Sequence, residues 1–189
     1  MSDSGAPSAA RVVVGVSGSL GSLTALCRAA DEARRRGAEL WPVLAWEPPG
    51  GELAARRTPA SYVLLDEWPG LARRNLLTAL DGVFGEAGPG VPMRALVARG
   101  TAGRTLVESA GRETDLLVVG AGRRGGWHRL CSCSVSRYCL AHAVCPVLAV
   151  PPSPLEADLS SVHRRNLWRL RLDTRHLERP SGRTAAPDA

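Results

Sequence analysis

Three compact apolar runs constrain this chain more than any other feature: RVVVGVS at residues 11–17, DLLVVG at 115–120 and CPVLAV at 145–150. Each is apolar at successive rather than alternate positions, the pattern of a strand covered on both faces. Such strands lie in parallel sheets, whose crossovers are helices. The intervening sequence supplies them. Residues 20–36 place Leu23, Leu26, Cys27 and Ala30 at helical spacing, with Gly37 as a C-terminal cap. Residues 39–46, ELWPVLAW, read as a second strand, with Pro42 at a bulge or near the strand's start because it forfeits a ladder hydrogen bond. A proline- and glycine-rich loop over 47–59 follows, then a helix over 71–87 with Leu76, Leu77, Leu80, Val83 and Phe84 on one face. Residues 91–98 form a third strand, Thr101 caps a helix through Ala110, and Ser134 caps a helix bearing Val135, Tyr138, Cys139 and His142. Strand and helix alternate throughout, which calls for a parallel α/β sheet with helices on both faces.

The chain has 189 residues, 44% of them hydrophobic, enough for one well-buried domain of about 140 residues plus extensions. The domain is expected over residues 11–151, after a flexible stretch at 1–10 and before a basic, partly disordered tail at 152–189, where seven arginines face five acids. A short helix is expected within the tail at 159–177. No apolar run approaches the roughly 18 to 20 residues of a membrane helix, and the first ten residues lack a signal-peptide core, so the expected setting is the cytoplasm. Five cysteines, an odd number without a disulfide framework, fit reduced thiols. All 24 Lys and Arg residues are arginine, which excludes a Walker A lysine or a Schiff base. The arginines alternate with acids, as in DEARRR, and the aromatics are not interleaved with them, which reads as solvated helix faces rather than a nucleic-acid surface.

Several local motifs compete around the apolar runs. Gly120, Gly122 and Gly125 spell GxGxxG after a strand. A dinucleotide fold places that motif at its first strand, runs directly into a helix and follows with an acid, whereas no acid occurs here between Asp115 and Glu156. GVSGS at residues 15–19 falls one residue short of the GxSxG elbow and reads as a glycine-permissive turn. In a doubly wound sheet that turn borders the switch point, where ligands bind. Cys131, Cys133, His128 and Cys139 are metal-ligand types, but CxC is an uncommon zinc spacing. Cys131 with Cys133 is also a candidate redox pair, while Cys139 and Cys145 read as small core hydrophobes.

RVVVGVSGS with LTALCRAADEARRRGAEL, the run TDLLVVGAG, and SVSRYCLAHAVCPVLAV after a glycine-rich loop together resemble the universal stress protein family over residues 11–151. The resemblance implies an open five-stranded parallel sheet of order 3-2-1-4-5, Rossmann-like and of the adenine nucleotide alpha hydrolase type. It also implies frequent homodimers through the last strand, residues 146–150, and in one large subgroup ATP, with Mg at most, at the carboxyl ends of the strands. No settled reaction comes with it. The implied cleft runs along Gly15, Val16 and Ser17, then Trp46, then Val119 and Gly120, and on to Arg123, Cys133, Ser134 and Val135. In ATP-binding members the loop after strand four carries three glycines and then Ser or Thr. Laid on this sequence these positions are Gly120, Arg123, Cys133 and Ser134, so two of the three glycines are replaced. Ser17 stands where an acid often lies near adenine, and Trp46 is placed either to stack on the base or to cover the sheet edge. If both replaced positions need left-handed backbone, the cost is about 1 to 2 kcal/mol each, which sums to roughly 30- to 1000-fold in affinity. Arg123, Arg124 and Arg129 either offset this with charge or fill the phosphate volume.

Overall fold

Side-chain burial along the central strand alternates between two cores. In the structure, a computed structural model that describes residues 10–48, 67–121, 134–151 and 153, β1 (Arg11–Gly15) directs Val12 and Val14 into one core and Val13 into the other. It leads to α1 (Leu20–Arg36), β2 (Glu39–Trp46), α2 (Glu67–Phe84), a 3-10 turn (Gly85–Ala87), β3 (Leu96–Arg99), α3 (Ala102–Ser109), β4 (Leu116–Gly120), α4 (Val135–His142) and β5 (Val147–Val150). The sheet order is β3-β2-β1-β4-β5 and all four pairings are parallel. This is the expected fold.

Burial on both faces explains the uninterrupted apolar runs. Val12, Val14, Leu40, Leu44, Leu116 and Val118 pack with Leu26 of α1 and with Leu76 and Leu80 of α2. Val13, Val43, Leu117 and Val119 pack on the other face with Leu106 of α3 and Cys139 of α4. Each fully buried Leu or Val contributes about 1.5 to 3 kcal/mol. α1 ends where expected, at Gly37 with φ 60, a left-handed cap whose N–H reaches the Ala33 and Arg34 carbonyls.

Pro42 stands inside β2, opposite Val14, rather than at its start or at a bulge. Alternate residues of β2 face β3, as the Leu40 N–H to Pro92 carbonyl and Gly100 N–H to Trp46 carbonyl bonds show, both 2.9 Å. Pro42 is on that side and donates nothing. The third strand is accordingly shorter than the expected 91–98: Met93 forms one isolated bridge to Leu40, and the continuous ladder begins only at Leu96, in the same register. In α2 the buried stripe is Ala72, Leu76, Ala79 and Leu80, with Leu77 51% exposed, so Leu77 does not belong to the inner face. A step of one residue turns a helix by about 100°, enough to carry Leu77 off the stripe. All of the expected loop over 47–59 after residue 48, the GxGxxG glycines beyond Gly120, the candidate pair Cys131 and Cys133, and the tail helix lie outside the described residues.

The amino ends of the strands hold a feature the sequence reading missed. Arg11 Nε and Nη2 donate to the two Asp115 oxygens at 2.9 and 2.5 Å, with both residues buried. The Arg112 N–H donates to Asp115 as well, at 3.1 Å. The Arg11 guanidinium also lies 4.4 Å from the centroid of Trp41, and that of Arg94 lies 5.1 Å from it.

Candidate functional site

The order of the strands fixes where a ligand can enter. From β1 the chain crosses to β2 on one side, and from β4 to β5 on the other, so a crevice opens between the carboxyl ends of β1 and β4. Gly15, Val16 and Ser17 stand on its β1 side, Val119 and Gly120 on its β4 side. Val16 and Val119 are buried, so they present backbone rather than side chains to the crevice. The Val16 N–H is already donated to the Val43 carbonyl at 2.9 Å.

Three serines organise the turn between β1 and α1. Ser19 is the N-cap of α1, its hydroxyl accepting from the Ser22 N–H at 3.3 Å. Ser22 Oγ donates to the Ser19 carbonyl at 2.8 Å and accepts from the Ser17 N–H at 3.2 Å. The exposed Ser17 hydroxyl lies 3.0 Å from that of Ser19. These contacts satisfy donors that a helix start leaves open. Ser22 was not among the residues read as functional from sequence; its signal is its position three residues after the Ser19 cap. Gly120 closes the wall from the β4 side, because a Cβ there would lie 3.0 Å from the Gly21 carbonyl oxygen.

α4 begins at the same end of the sheet, since it returns from the carboxyl end of β4 to the start of β5. Ser134 holds its N-cap position, yet makes no side-chain capping bond. Its hydroxyl instead lies 2.7 Å from that of Ser136. The expected cap is therefore present in position and not in bonding, and the first-turn N–H groups of α4 keep their positive pole without a side-chain acceptor from Ser134. Val135 is exposed beside it. Thr101 likewise holds the N-cap position of α3 with no side-chain bond.

Trp46 lies at the end of β2, next to β1. Its ring packs in part against the core under α1 and α2, with the Arg99 guanidinium 5.6 Å from its centroid, and its carbonyl accepts the Gly100 N–H. Arg123 and Cys133 fall outside the described residues.

The described cysteines divide by environment. Cys139 is fully buried, its Sγ 3.9 Å from the Gly103 carbonyl, and burial pushes its thiol up to about 11. Burial, followed by the negative charge of Asp115, raises the Cys145 thiol too. Both stay protonated near neutrality and pack as small hydrophobes. Cys27 is exposed on α1. Among the described residues no group of three or more His, Cys, Asp or Glu is placed to hold a metal ion, and no helix is long and apolar enough to cross a membrane.

A doubly wound sheet with a glycine- and serine-lined crevice at its switch point defines a Rossmann-like α/β domain. The model of the universal stress protein family matches residues 9–151, and the chain belongs to that family. It is 33% identical over 155 residues to the universal stress protein Rv2623 of Mycobacterium tuberculosis, covering 78% of this chain and 47% of that protein. It is equally identical over 153 residues to Mb2028c of Mycobacterium bovis, with the same coverage. The chain thus spans about half the length of the curated relatives it matches. Among solved structures, the universal stress protein UspA from Lactobacillus plantarum shares the fold with a TM-score of 0.56 at 24% identity, covering 75% of this chain and 97% of that one.

Proposed function

We propose that this domain is a stress-response binding module of the cytoplasm that takes an adenine nucleotide, ATP or a shorter relative, in the switch-point crevice. The phosphates meet the first turn of α4, and the ribose and base lie along Ser17 and the β1–α1 turn. The observation that carries this reading is the start of α4, where the Ser134 hydroxyl lies against that of Ser136 and makes no capping bond to the helix N–H groups. The segments 15–22, 120–121 and 134–137 contain no Asp or Glu that would repel an anion. Arg123 and Cys133, in place of glycines, weaken the affinity. Calorimetry with ATP, ADP and AMP at millimolar concentration tests the reading. Measurable heat is expected, with tighter binding by about tenfold or more when Arg123→Gly and Cys133→Gly are combined. No heat with any of the three removes the proposal.

A second reading is an adaptor that works as a homodimer without nucleotide. It is favoured by β5, an edge strand of uncharged residues, VLAV, with Val144 beside it 61% exposed. β5 carries no charged residue or proline that would blunt pairing with another copy. Size-exclusion chromatography with light scattering should give twice the chain mass, and Ala149→Lys should return it to one. In this reading, removing residues 152–189 also abolishes capture of the partner. A redox role for Cys131 with Cys133 is a third reading, which mass spectrometry after mild oxidation excludes if both thiols stay unmodified.

A further inference from the structure

We infer that Gly120 is a positioning residue that seats the first turn of α1 against β4 and so sets the width of the switch-point crevice. A Cβ at Gly120 would lie 3.0 Å from the Gly21 carbonyl oxygen, 3.3 Å from its carbon and 3.7 Å from the Ser22 nitrogen. All three are backbone atoms of α1, so no side-chain rotation relieves the contact. Either β4 or the helix start must give way. What moves is specified by hydrogen bonds. Ser22 Oγ holds the Ser17 N–H at 3.2 Å and the Ser19 carbonyl at 2.8 Å, and the Leu23 N–H donates to that carbonyl at 3.0 Å. Displacement of Gly21 and Ser22 therefore travels directly to Ser17, the exposed hydroxyl at the mouth of the crevice. Of the three positions that the family resemblance marks for glycine, the one that holds glycine here is packed against this helix. Its requirement for glycine arises inside the chain and needs no phosphate.

The nucleotide part of the test rests on the reading proposed above, whereas the exchange part stands without it. Hydrogen exchange of the unliganded protein should show the Ser17, Ser22 and Leu23 amides exchanging at least about tenfold faster in Gly120→Ala, with the β1 and β4 amides little changed. Ser22→Ala, which removes the relay without touching Gly120, should speed the Ser17 amide alone. A Gly120→Ala protein whose amides all exchange faster by one common factor, or whose Ser17, Ser22 and Leu23 amides match the parent, overturns the inference. With AMP, both variants should bind about tenfold more weakly, and unchanged AMP affinity in Ser22→Ala also overturns it. If the parent protein gives no heat with ATP, ADP or AMP, the nucleotide reading falls and the exchange comparison still decides the role of Gly120. If Gly120→Ala does not fold while Gly82→Ala, whose Cβ would meet nothing within 4 Å, folds normally, the close contact at Gly120 stands; Ser22→Ala then tests the relay, and a Ser17 amide that matches the parent overturns the inference.

Discussion

The amino ends of β1 and β4 are joined by buried charge, Arg11 to Asp115, whereas their carboxyl ends meet through backbone, glycine and serine hydroxyls. The first junction is fixed by two bonds between side chains, reinforced by the Arg112 N–H on Asp115 and by Trp41 beneath Arg11. On the nucleotide reading proposed above, the second leaves room for a guest, with small side chains and an α4 start that the Ser134 hydroxyl does not cap. On that reading, stability and binding lie at opposite ends of one pair of strands.

The largest effect should come from breaking the charged end. Asp115→Ala leaves Arg11 buried without its partner, and should cost about 3 to 5 kcal/mol in urea unfolding. The double change Arg11→Met with Asp115→Leu should recover most of that. A loss below about 1 kcal/mol in Asp115→Ala would erase the distinction between the two ends.

Alkali should act next. The Cys139 thiol is raised from 9.0 to about 11 in the fold, so between those values the unfolded chain releases a proton that the native chain keeps. Stability is therefore level below pH 9 and falls as pH rises towards about 11, by on the order of 2 kcal/mol. Cys145, shifted the same way, adds to the fall. Cys139→Ala should flatten the profile in part. At pH 7 a thiol reagent should label Cys27 readily and Cys139 only through unfolding.

At the serine end the two helix starts should respond unequally. Ser19→Ala removes a capping bond and should cost about 1 kcal/mol. Ser134→Ala removes none and should cost only a few tenths by the same measurement. Equal losses would mean that Ser134 caps α4 after all. A comparably small effect is expected from Trp41→Phe. Among the described residues the Trp41 indole N–H is buried without an acceptor, so its removal relieves an unmet donor while an aromatic face for Arg11 remains. The change in stability should stay within about 1 kcal/mol.

The architecture was legible in sequence because a two-sided core leaves an unmistakable trace: uninterrupted apolar runs at β1, β4 and β5. Details that depend on a neighbour were not. Pro42 was visible as an obstacle, but not that it would face β3 and shorten that strand. Leu77 looked like core because spacing alone does not say which side of a broad apolar stripe meets the sheet. At Ser134 the residue type named the cap position, while the choice between a backbone N–H and the Ser136 hydroxyl belongs to the local geometry. The Arg11–Asp115 pair did leave a signal. A base precedes VVVG and an acid precedes LLVVG, and the register Val12 opposite Leu116 brings them together. Seeing it requires knowing that these two strands are neighbours.

That pairing has a consequence in time. Arg11 and Asp115 are 104 residues apart, and a ribosome adding about 5 to 20 residues per second needs roughly 5 to 20 s to cover the gap. During synthesis the central strand emerges first, can pair with β2 soon afterwards, and must then wait with its other edge bare and its arginine uncompensated until β4 arrives. Long-range parallel pairing is slow to nucleate for the same reason. A nascent chain halted before Asp115 is thus expected to be the form most prone to aggregate and most dependent on a chaperone.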